Sequence, residues 1–212
     1  MLLAGCAGGP PPPDWKLNAH GGLEGYARDY LNGDSRLAEL QFARAKAEIA
    51  RTGRLDLDAR AELYRCGVRA AALDFSPCTA FEALRPHATP GDGVYADFLE
   101  GRQWTELDAK ALPAAYAGVA GAKDEAARHT AVQAIQDPVS RLIAAGVLFR
   151  RGELGPAGLA EAARTASDRG WRRPLLAWLK VLHSRAERAG DGQAAAIFAQ
   201  RIRLVENSLK EK

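Results

Sequence analysis

Residues 30–45 read Tyr-Leu-Asn-Gly-Asp-Ser-Arg-Leu-Ala-Glu-Leu-Gln-Phe-Ala-Arg-Ala, a turn that leads into a helical pattern. Asn32 and Gly33 end a preceding helix, and Asp34 or Ser35 can cap the next one. Four apolar residues then recur at four-, three- and four-residue steps and share one helix face: Ala38, Phe42, Ala45 and Ile49. Small residues let two helices approach closely, and the aromatic ring fills the space between hairpins. The segment therefore predicts an antiparallel helical hairpin.

This hairpin resembles a tetratricopeptide repeat (TPR), a helical hairpin of 34 residues that stacks on its neighbours. In that family a Gly-Asp pair marks the turn, and a small, an aromatic and another small residue follow at four- and three-residue intervals. The matching positions in this chain are Gly33, Asp34, Ala38, Phe42 and Ala45. The preceding helix lacks the family's Trp-Leu-Gly-Tyr spacing, so the match covers about 35 residues. The resemblance implies a right-handed α-solenoid of antiparallel helical hairpins.

The glycine of this turn has counterparts further along the chain. Gly101, Gly152 and Gly190 each follow a helical pattern, as Gly33 does. Gly33 and Gly101 lie 68 residues apart, which is twice the repeat length of the family, while the two later intervals are irregular. The pattern predicts a degenerate stack of hairpins that forms a single TPR-like α-helical domain over residues 14–212.

The remaining sequence predicts helices throughout, about ten in all, because apolar residues recur at helical spacing and no stretch alternates like a strand. The first helix is expected at about residues 15–31. Further helices are predicted at residues 57–73, 78–84, 93–100, 105–119, 124–135, 138–150, 156–168 and 172–189. Pro113 either kinks the helix at 105–119 or begins a new one. A final helix carries Phe198, Ile202, Val205 and Leu209. The predicted fold class is all-α.

A second motif precedes the helical part of the chain. Leu3-Ala4-Gly5-Cys6 is followed by Ala7-Gly8-Gly9 and by prolines at positions 10–13. The motif resembles the lipobox of bacterial lipoproteins, in which small and aliphatic residues lead to a cysteine that is acylated after signal cleavage. The resemblance implies that residues 1–13 are a signal-peptide remnant, a lipobox and a Gly/Pro tether.

The lipobox resemblance also implies a location. Cys6 would be the lipidation site, carrying fatty acyl chains such as palmitate, with the rest of the signal peptide upstream of Met1. Ala7 stands where an aspartate would retain a lipoprotein in the inner membrane. The expected location is therefore the periplasmic face of the outer membrane of a Gram-negative bacterium, reached through a lipid anchor.

Cys66 and Cys78 are the two cysteines that remain. In an oxidising periplasm they can form a disulfide, which would stabilise the fold by roughly 3 kcal/mol through loop closure. The alternative is two buried free thiols that pack as small hydrophobic side chains. Neither cysteine has a zinc-ligand spacing.

No motif of an enzyme is present in the sequence. A Gly-x-Ser-x-Gly elbow does not occur, and Gly91-Asp92-Gly93 lacks the lysine of a phosphate-binding loop. The histidines are scattered at His20, His87, His129 and His183. We therefore predict a non-catalytic chain without metal or cofactor.

The charge distribution is uneven, although the net charge is only +3. Residues 1–106 carry 12 basic and 15 acidic side chains, whereas residues 107–212 carry 17 and 11. The basic half either binds an anionic partner or presents ordinary solvated helix faces. The total is too small to indicate nucleic-acid binding, and we expect none.

The sequence also contains a basic aromatic stretch, formed by Trp171, Arg172, Arg173 and Trp178. Trp and Arg are the residues that most often anchor protein interfaces, so these four are candidate partner-binding residues. Their alternative is core packing, because Trp171 and Trp178 are seven residues apart on a helix.

These observations favour a cell-envelope lipoprotein whose helical repeats bind an envelope protein or peptide, as an adaptor or assembly factor. The alternative is a cytoplasmic helical scaffold or regulator that contacts an acidic partner through its basic C-terminal half. The sequence leaves the oligomeric state open.

Overall fold

The structure is a computed structural model that describes residues 11–210, apart from the side chains of residues 106, 107 and 210. Its helices are α1 Asp14–Leu31, α2 Ser35–Ala50, α3 Leu55–Ala70, α4 Thr79–Leu84, α5 Pro90–Leu99, α6 Glu106–Ala111, α7 Ala114–Gly121, α8 Glu125–Ala134, α9 Pro138–Arg150, α10 Pro156–Asp168, α11 Arg172–Arg188 and α12 Gly192–Lys210. A short 3₁₀ turn spans Arg85–His87. No strand occurs among the described residues, so the all-α prediction is confirmed.

Twelve α-helices form in residues 11–210, where about ten were predicted. One reason is Pro113, which separates α6 from α7. Leu112, the residue before this proline, is extended with φ −65° and ψ 154°, because the proline ring disfavours the helical region at the preceding position. The helix predicted over residues 105–119 is therefore two helices, and Pro113 begins a new one.

The glycine turns noted in the sequence share one local structure. Gly33, Gly101, Gly152 and Gly190 all have positive φ, between 70° and 88°. After each glycine, the next N–H donates to a carbonyl five residues earlier, as from Asp34 to Asp29 at 2.9 Å. This left-handed cap satisfies the last carbonyls of a helix. Leu73 occupies the equivalent position after α3, with φ 60°. Helix α3 therefore ends at Ala70, three residues before the predicted end.

The α1–α2 hairpin packs closely around the predicted repeat positions. The Asp34 carboxylate accepts from the N–H of Leu37 at 3.0 Å and caps α2. Ala38 and Ala45 are fully buried, and Phe42 is 5 % exposed. The Phe42 ring lies 5.3 Å from the ring of Tyr26 on α1. The small and aromatic positions thus face the partner helix, as close helix packing requires.

Helix α9 lies at the centre of the molecule. Seven consecutive residues, 142–148, are buried, because α3, α5, α7, α8 and α10 all pack against this helix. A helix that is apolar on every side is expected in such a position. A single hydrophobic cluster joins α9 to residues as distant as Ala19 and Trp178.

The C-terminal hairpin returns to the first one. Arg172 donates to the carbonyls of Asn32 and Ser208, at 3.0 and 2.8 Å. Arg173 donates to the carbonyl of Tyr30 at 2.7 Å and to the Ser35 hydroxyl at 2.6 Å. In a linear stack each repeat contacts only its neighbours. The contacts of α11 with α1 and of α9 with α3 are therefore additions that the repeat pattern did not predict.

The lipobox residues Leu3–Cys6 lie outside the described part of the chain. None of the helices within residues 11–210 combines the length and the apolar character that crossing a membrane demands.

Candidate functional site

Two cavities lie side by side between the central helices. The first has a volume of about 490 Å³ and is lined mainly from α1, α3, α7 and α9, and Trp171 also lines it. The second has a volume of about 400 Å³ and reaches the N-terminal end of α5 at Thr89 and Gly91. Tyr64, Tyr95 and Pro113 line both cavities. The two cavities therefore share part of their walls, and we call them together the aromatic groove.

Three tyrosines from three different helices form the middle of the aromatic groove: Tyr64 on α3, Tyr95 on α5 and Tyr116 on α7. The rings of Tyr95 and Tyr116 stack with centroids 5.3 Å apart and an interplanar angle of 12°. Their hydroxyl oxygens are 3.4 Å apart. Phe98 packs behind them at 5.1 Å from the Tyr116 ring and holds both rings in place. The groove therefore presents rigid aromatic surfaces.

The tyrosine hydroxyls of the groove are neutral at physiological pH. Burial, with smaller contributions from the Asp137 and Glu24 carboxylates, raises the pKa of Tyr64 to about 12. Burial also raises the pKa of Tyr95 and of Tyr116 above the ordinary value. Neutral hydroxyls donate and accept hydrogen bonds. These tyrosines are thus suited to binding a ligand by hydrogen bonds and ring contacts.

Charged residues stand at the edge of the first cavity. Glu24 is two-thirds exposed and is 3.2 Å from His20, one helical turn earlier. Asp137 caps α9 by accepting from the N–H of Ser140 at 2.7 Å. Arg28 donates to both carboxylate oxygens of Asp29, at 2.9 and 3.1 Å. Among the described residues no lysine or arginine pairs with Glu24 or Asp137, so this end of the groove is acidic.

The structure separates the four predicted partner-binding residues. Trp171 is half-buried and lines the aromatic groove. Trp178 is fully buried, and its indole N–H points to the carbonyl of Ala71 at 3.3 Å. Arg172 and Arg173 bind the α1–α2 turn through their guanidinium groups. Trp178 is therefore a core residue, and only Trp171 belongs to the groove.

Cys66 and Cys78 are joined as a disulfide in the structure, with their Cα atoms 6.0 Å apart. This separation is usual for a disulfide. The bridge ties the end of α3 to the segment before α4 and lines a small cavity of about 180 Å³, with Phe75 and Arg150. Neither cysteine lines the aromatic groove.

Several arginines of the basic C-terminal half make internal hydrogen bonds. Arg141 donates to the carbonyl of Ile135 at 2.7 Å, and Arg151 donates to the carbonyls of Gly101 and Arg102. Arg151 also lies 4.1 Å from the Trp104 ring. Arg141 and Arg151 therefore hold loops and helix ends together.

Sequence reasoning missed the three groove tyrosines. They are 31 and 21 residues apart, and each has a helical spacing typical of a core residue. No motif joins them, because only the packing of α3, α5 and α7 brings them together.

In the described part of the chain no group of three or more His, Cys, Asp or Glu side chains is placed to hold a metal ion. No protein family, curated protein or solved structure that was compared with the chain matches it.

Proposed function

We propose that this chain is a non-catalytic cell-envelope lipoprotein whose helical domain binds a protein partner, as an adaptor or assembly factor. The observation that supports a binding role is the aromatic groove, which is lined by the stacked Tyr95 and Tyr116 rings and by the Trp171 side chain. Tyrosine and tryptophan contribute strongly to protein interfaces because they offer large rigid surfaces at low entropic cost. A groove formed between helices suits an extended peptide or a helix of the partner.

The hairpins are proposed to be degenerate TPR-like repeats of a right-handed solenoid. The shared left-handed glycine caps and the buried Ala38, Phe42 and Ala45 support this proposal. The contact of α11 with α1 then needs a superhelix so tight that its two ends meet. Solenoids commonly bind partners on a concave surface, and we propose the aromatic groove for that role in this chain.

The lipid anchor on Cys6 is part of the proposal and has its own test. The gene would be expressed in a Gram-negative host with its upstream codons, and labelled palmitate would be supplied. We expect label on the wild-type chain, none on a Cys6→Ser variant, and accumulation of the unprocessed form with globomycin. An unlabelled wild-type chain in the soluble fraction would instead favour the cytoplasmic scaffold.

The binding role is tested by cross-linking within cells. Ala115 is exposed and lines the aromatic groove, whereas Ala160 is exposed on α10 away from it. A photoreactive benzoylphenylalanine at each position gives a matched pair. We expect discrete cross-linked protein products from position 115 and none from position 160. Equal products at both positions, or none at either, would contradict a partner in the groove.

The disulfide supports the proposed periplasmic location if it forms in the cell. Mass spectrometry of non-reduced peptides from exported protein should recover Cys66 and Cys78 in one linked species. Free thiols on both residues would remove this support, since an oxidising compartment favours the bridge.

A further inference from the structure

Resting on the proposed function, we propose that the aromatic groove binds an extended partner segment that carries a lysine or arginine side chain, held beside Tyr64 between Glu24 and Asp137. Three features of the groove support this partner class: its charges, its aromatic rings and its size.

The charges of the groove leave a local excess of negative charge. The first cavity is lined by three charged side chains, and one of them, Arg28, is matched by Asp29. In the second cavity, Arg60 and Asp92 pair through two hydrogen bonds of 3.2 Å. Glu24 and Asp137 remain, in a chain whose net charge is +3. A complementary ligand is therefore a cation, because complementary potentials favour the right partner and disfavour the wrong one.

The two carboxylates and Tyr64 line the same cavity. Burial is the main cause of the raised pKa of Tyr64, and Asp137 and Glu24 raise this pKa further. Tyr64 lies at the junction of the two cavities. A basic side chain at this junction would meet two negative charges and an aromatic ring together.

Tyr64 and Trp171 are half-buried and leave part of each ring open to a cation, whereas Tyr116 is 4 % exposed and stacks on Tyr95. Elsewhere in the chain, arginines lie over aromatic rings at five places, such as Arg65 over Phe42 at 4.8 Å and Arg173 over Tyr30 at 4.2 Å. Within residues 11–210, no such contact is made to any of the aromatic side chains that line the groove. A cation placed over an aromatic ring is attracted by the negative face of the ring. An external lysine or arginine can make this contact.

The size of the groove favours a peptide over a small cation. The volumes of about 490 and 400 Å³ exceed what one basic side chain fills, and apolar residues such as Leu31, Val139 and Ile143 line the first cavity. Residues on either side of the basic one would cover these surfaces. The chain's own Gly/Pro segment, residues 8–13, contains no basic residue and does not match the charge.

The test uses the full-length chain with Cys6→Ser, which can be purified without acylation. A random dodecapeptide display library is selected against this protein, and the dissociation constants of the selected peptides are measured by fluorescence anisotropy. We expect lysine or arginine to be enriched at one position of the selected peptides. Replacing that residue by glutamine should weaken binding about tenfold, the equivalent of 1.4 kcal/mol.

Two groove variants and one control separate charge from folding. Glu24→Gln and Asp137→Asn should each weaken binding of the basic peptide three- to tenfold, and asparagine keeps the cap of α9. Glu187→Gln is the matched control, because Glu187 also pairs with a histidine one turn earlier and lies on α11 outside the groove. It should leave the dissociation constant unchanged. Tyr64→Phe should retain most of the affinity, whereas Tyr64→Leu should lose several-fold.

The inference fails if the selected peptides are neutral, acidic or proline-rich without a basic residue, or if no peptide is selected. It also fails if Glu24→Gln and Asp137→Asn bind as tightly as the parent protein. The proposed function is judged separately by cross-linking at Ala115. Cross-links without a basic preference would remove this inference and leave the binding role intact.

Discussion

The first and last hairpins of this chain carry the same apolar spacing on their second helices and differ in burial. In α2 the residues are Ala38, Phe42, Ala45 and Ile49, and in α12 they are Phe198, Ile202, Val205 and Leu209; both sets follow four-, three- and four-residue steps. All four residues of α2 are buried. Among the α12 residues whose side chains are described, only Val205 is buried, at 9 % exposure. Identical periodicity thus predicts a helix and its inner face, and it does not predict how deeply that face is covered.

The difference has a structural cause. Helix α2 packs against α1 and also contacts α3, whereas α12 packs chiefly against α11. Close approach also matters in the first hairpin, where a Cβ atom on Gly22 would lie 2.9 Å from the Cβ of Ala45. Burial on folding is a main source of stability. We therefore expect equivalent changes in the two hairpins to have unequal effects.

The largest expected effect is at Phe42. Replacing this buried ring by alanine removes its packing on Tyr26 and leaves a cavity, so Phe42→Ala should lower the free energy of unfolding by about 3–5 kcal/mol. Phe198→Ala on α12 should cost about 1–2 kcal/mol, because its ring is only partly buried. Urea unfolding of both variants measures the difference. Equal losses would show that α12 is covered as deeply as α2.

Alkaline pH should destabilise the first hairpin next. Burial raises the pKa of Tyr30 to about 12, and burial also raises the pKa of Tyr26. The unfolded state loses the tyrosine proton near pH 10, while the folded state keeps it, so stability is full below pH 10 and falls from there to about pH 12. For Tyr30 alone the loss is about 2–3 kcal/mol. The last hairpin contains no tyrosine and contributes nothing to this loss.

The alkaline effect is measured by urea unfolding at several pH values from 8 to 12. The control is Tyr26→Phe, because the Tyr26 hydroxyl is buried without a hydrogen-bond partner among the described residues. This variant should retain its stability at pH 8 and lose less above pH 10. If the free energy of unfolding of Tyr26→Phe falls with pH as steeply as that of the parent protein, Tyr26 loses its proton as readily in the folded state as in the unfolded state.

Two adjacent glycines of α1 should respond in opposite directions. Gly22→Ala places a methyl group against Ala45 and against backbone atoms at 3.0 Å, so it should destabilise the protein by about 1–3 kcal/mol. A Cβ atom on Gly21 would meet no atom within 4 Å, so Gly21→Ala should stabilise the protein by about 0.5–1 kcal/mol through helix propensity. Thermal unfolding measures whether each variant is more or less stable than the parent protein. Stabilisation by both changes would mean that α1 and α2 lie further apart.

The tie between the two hairpins should have a smaller effect. Arg173→Gln removes hydrogen bonds to the Tyr30 carbonyl and the Ser35 hydroxyl, so it should cost about 1–2 kcal/mol. Arg169→Gln is the control, because Arg169 is exposed and makes no side-chain hydrogen bond to the described residues. A double-mutant cycle with Ser35→Ala should show coupling. Additive losses would contradict a direct contact between the hairpins.

The fold was predictable where helix ends carry a chemical signal. Asp137-Pro138 begins α9 at the predicted residue, since aspartate caps the helix and proline suits its first position. Glycines such as Gly152 and Gly190 mark turns because the left-handed cap favours a residue without a Cβ atom. The end of α3 was placed three residues too late because Leu73 takes this conformation in place of glycine.

Of the residues named from the sequence, only Trp171 lies in the candidate site. It was a candidate partner-binding residue, and the structure places it, half-buried, in the lining of the first cavity. Tyr64, Tyr95 and Tyr116 come from three helices whose arrangement depends on long-range packing. The spacing of apolar residues along the chain carries no information about such contacts. For the same reason Trp178 could not be told from Trp171 by spacing, although it lies in the core.

The smallest effects should occur on the outward faces, where the two hairpins are alike. Leu40 on α2 is 47 % exposed, and Leu204 on α12 is 73 % exposed. Leu40→Ser and Leu204→Ser should each change the free energy of unfolding by less than about 0.5 kcal/mol, because exposed side chains bury little on folding. A loss above about 1 kcal/mol at Leu204 would mean that this side chain is covered in solution. If a second copy covers it, the melting temperature of the parent protein rises with protein concentration, whereas that of Leu204→Ser does not.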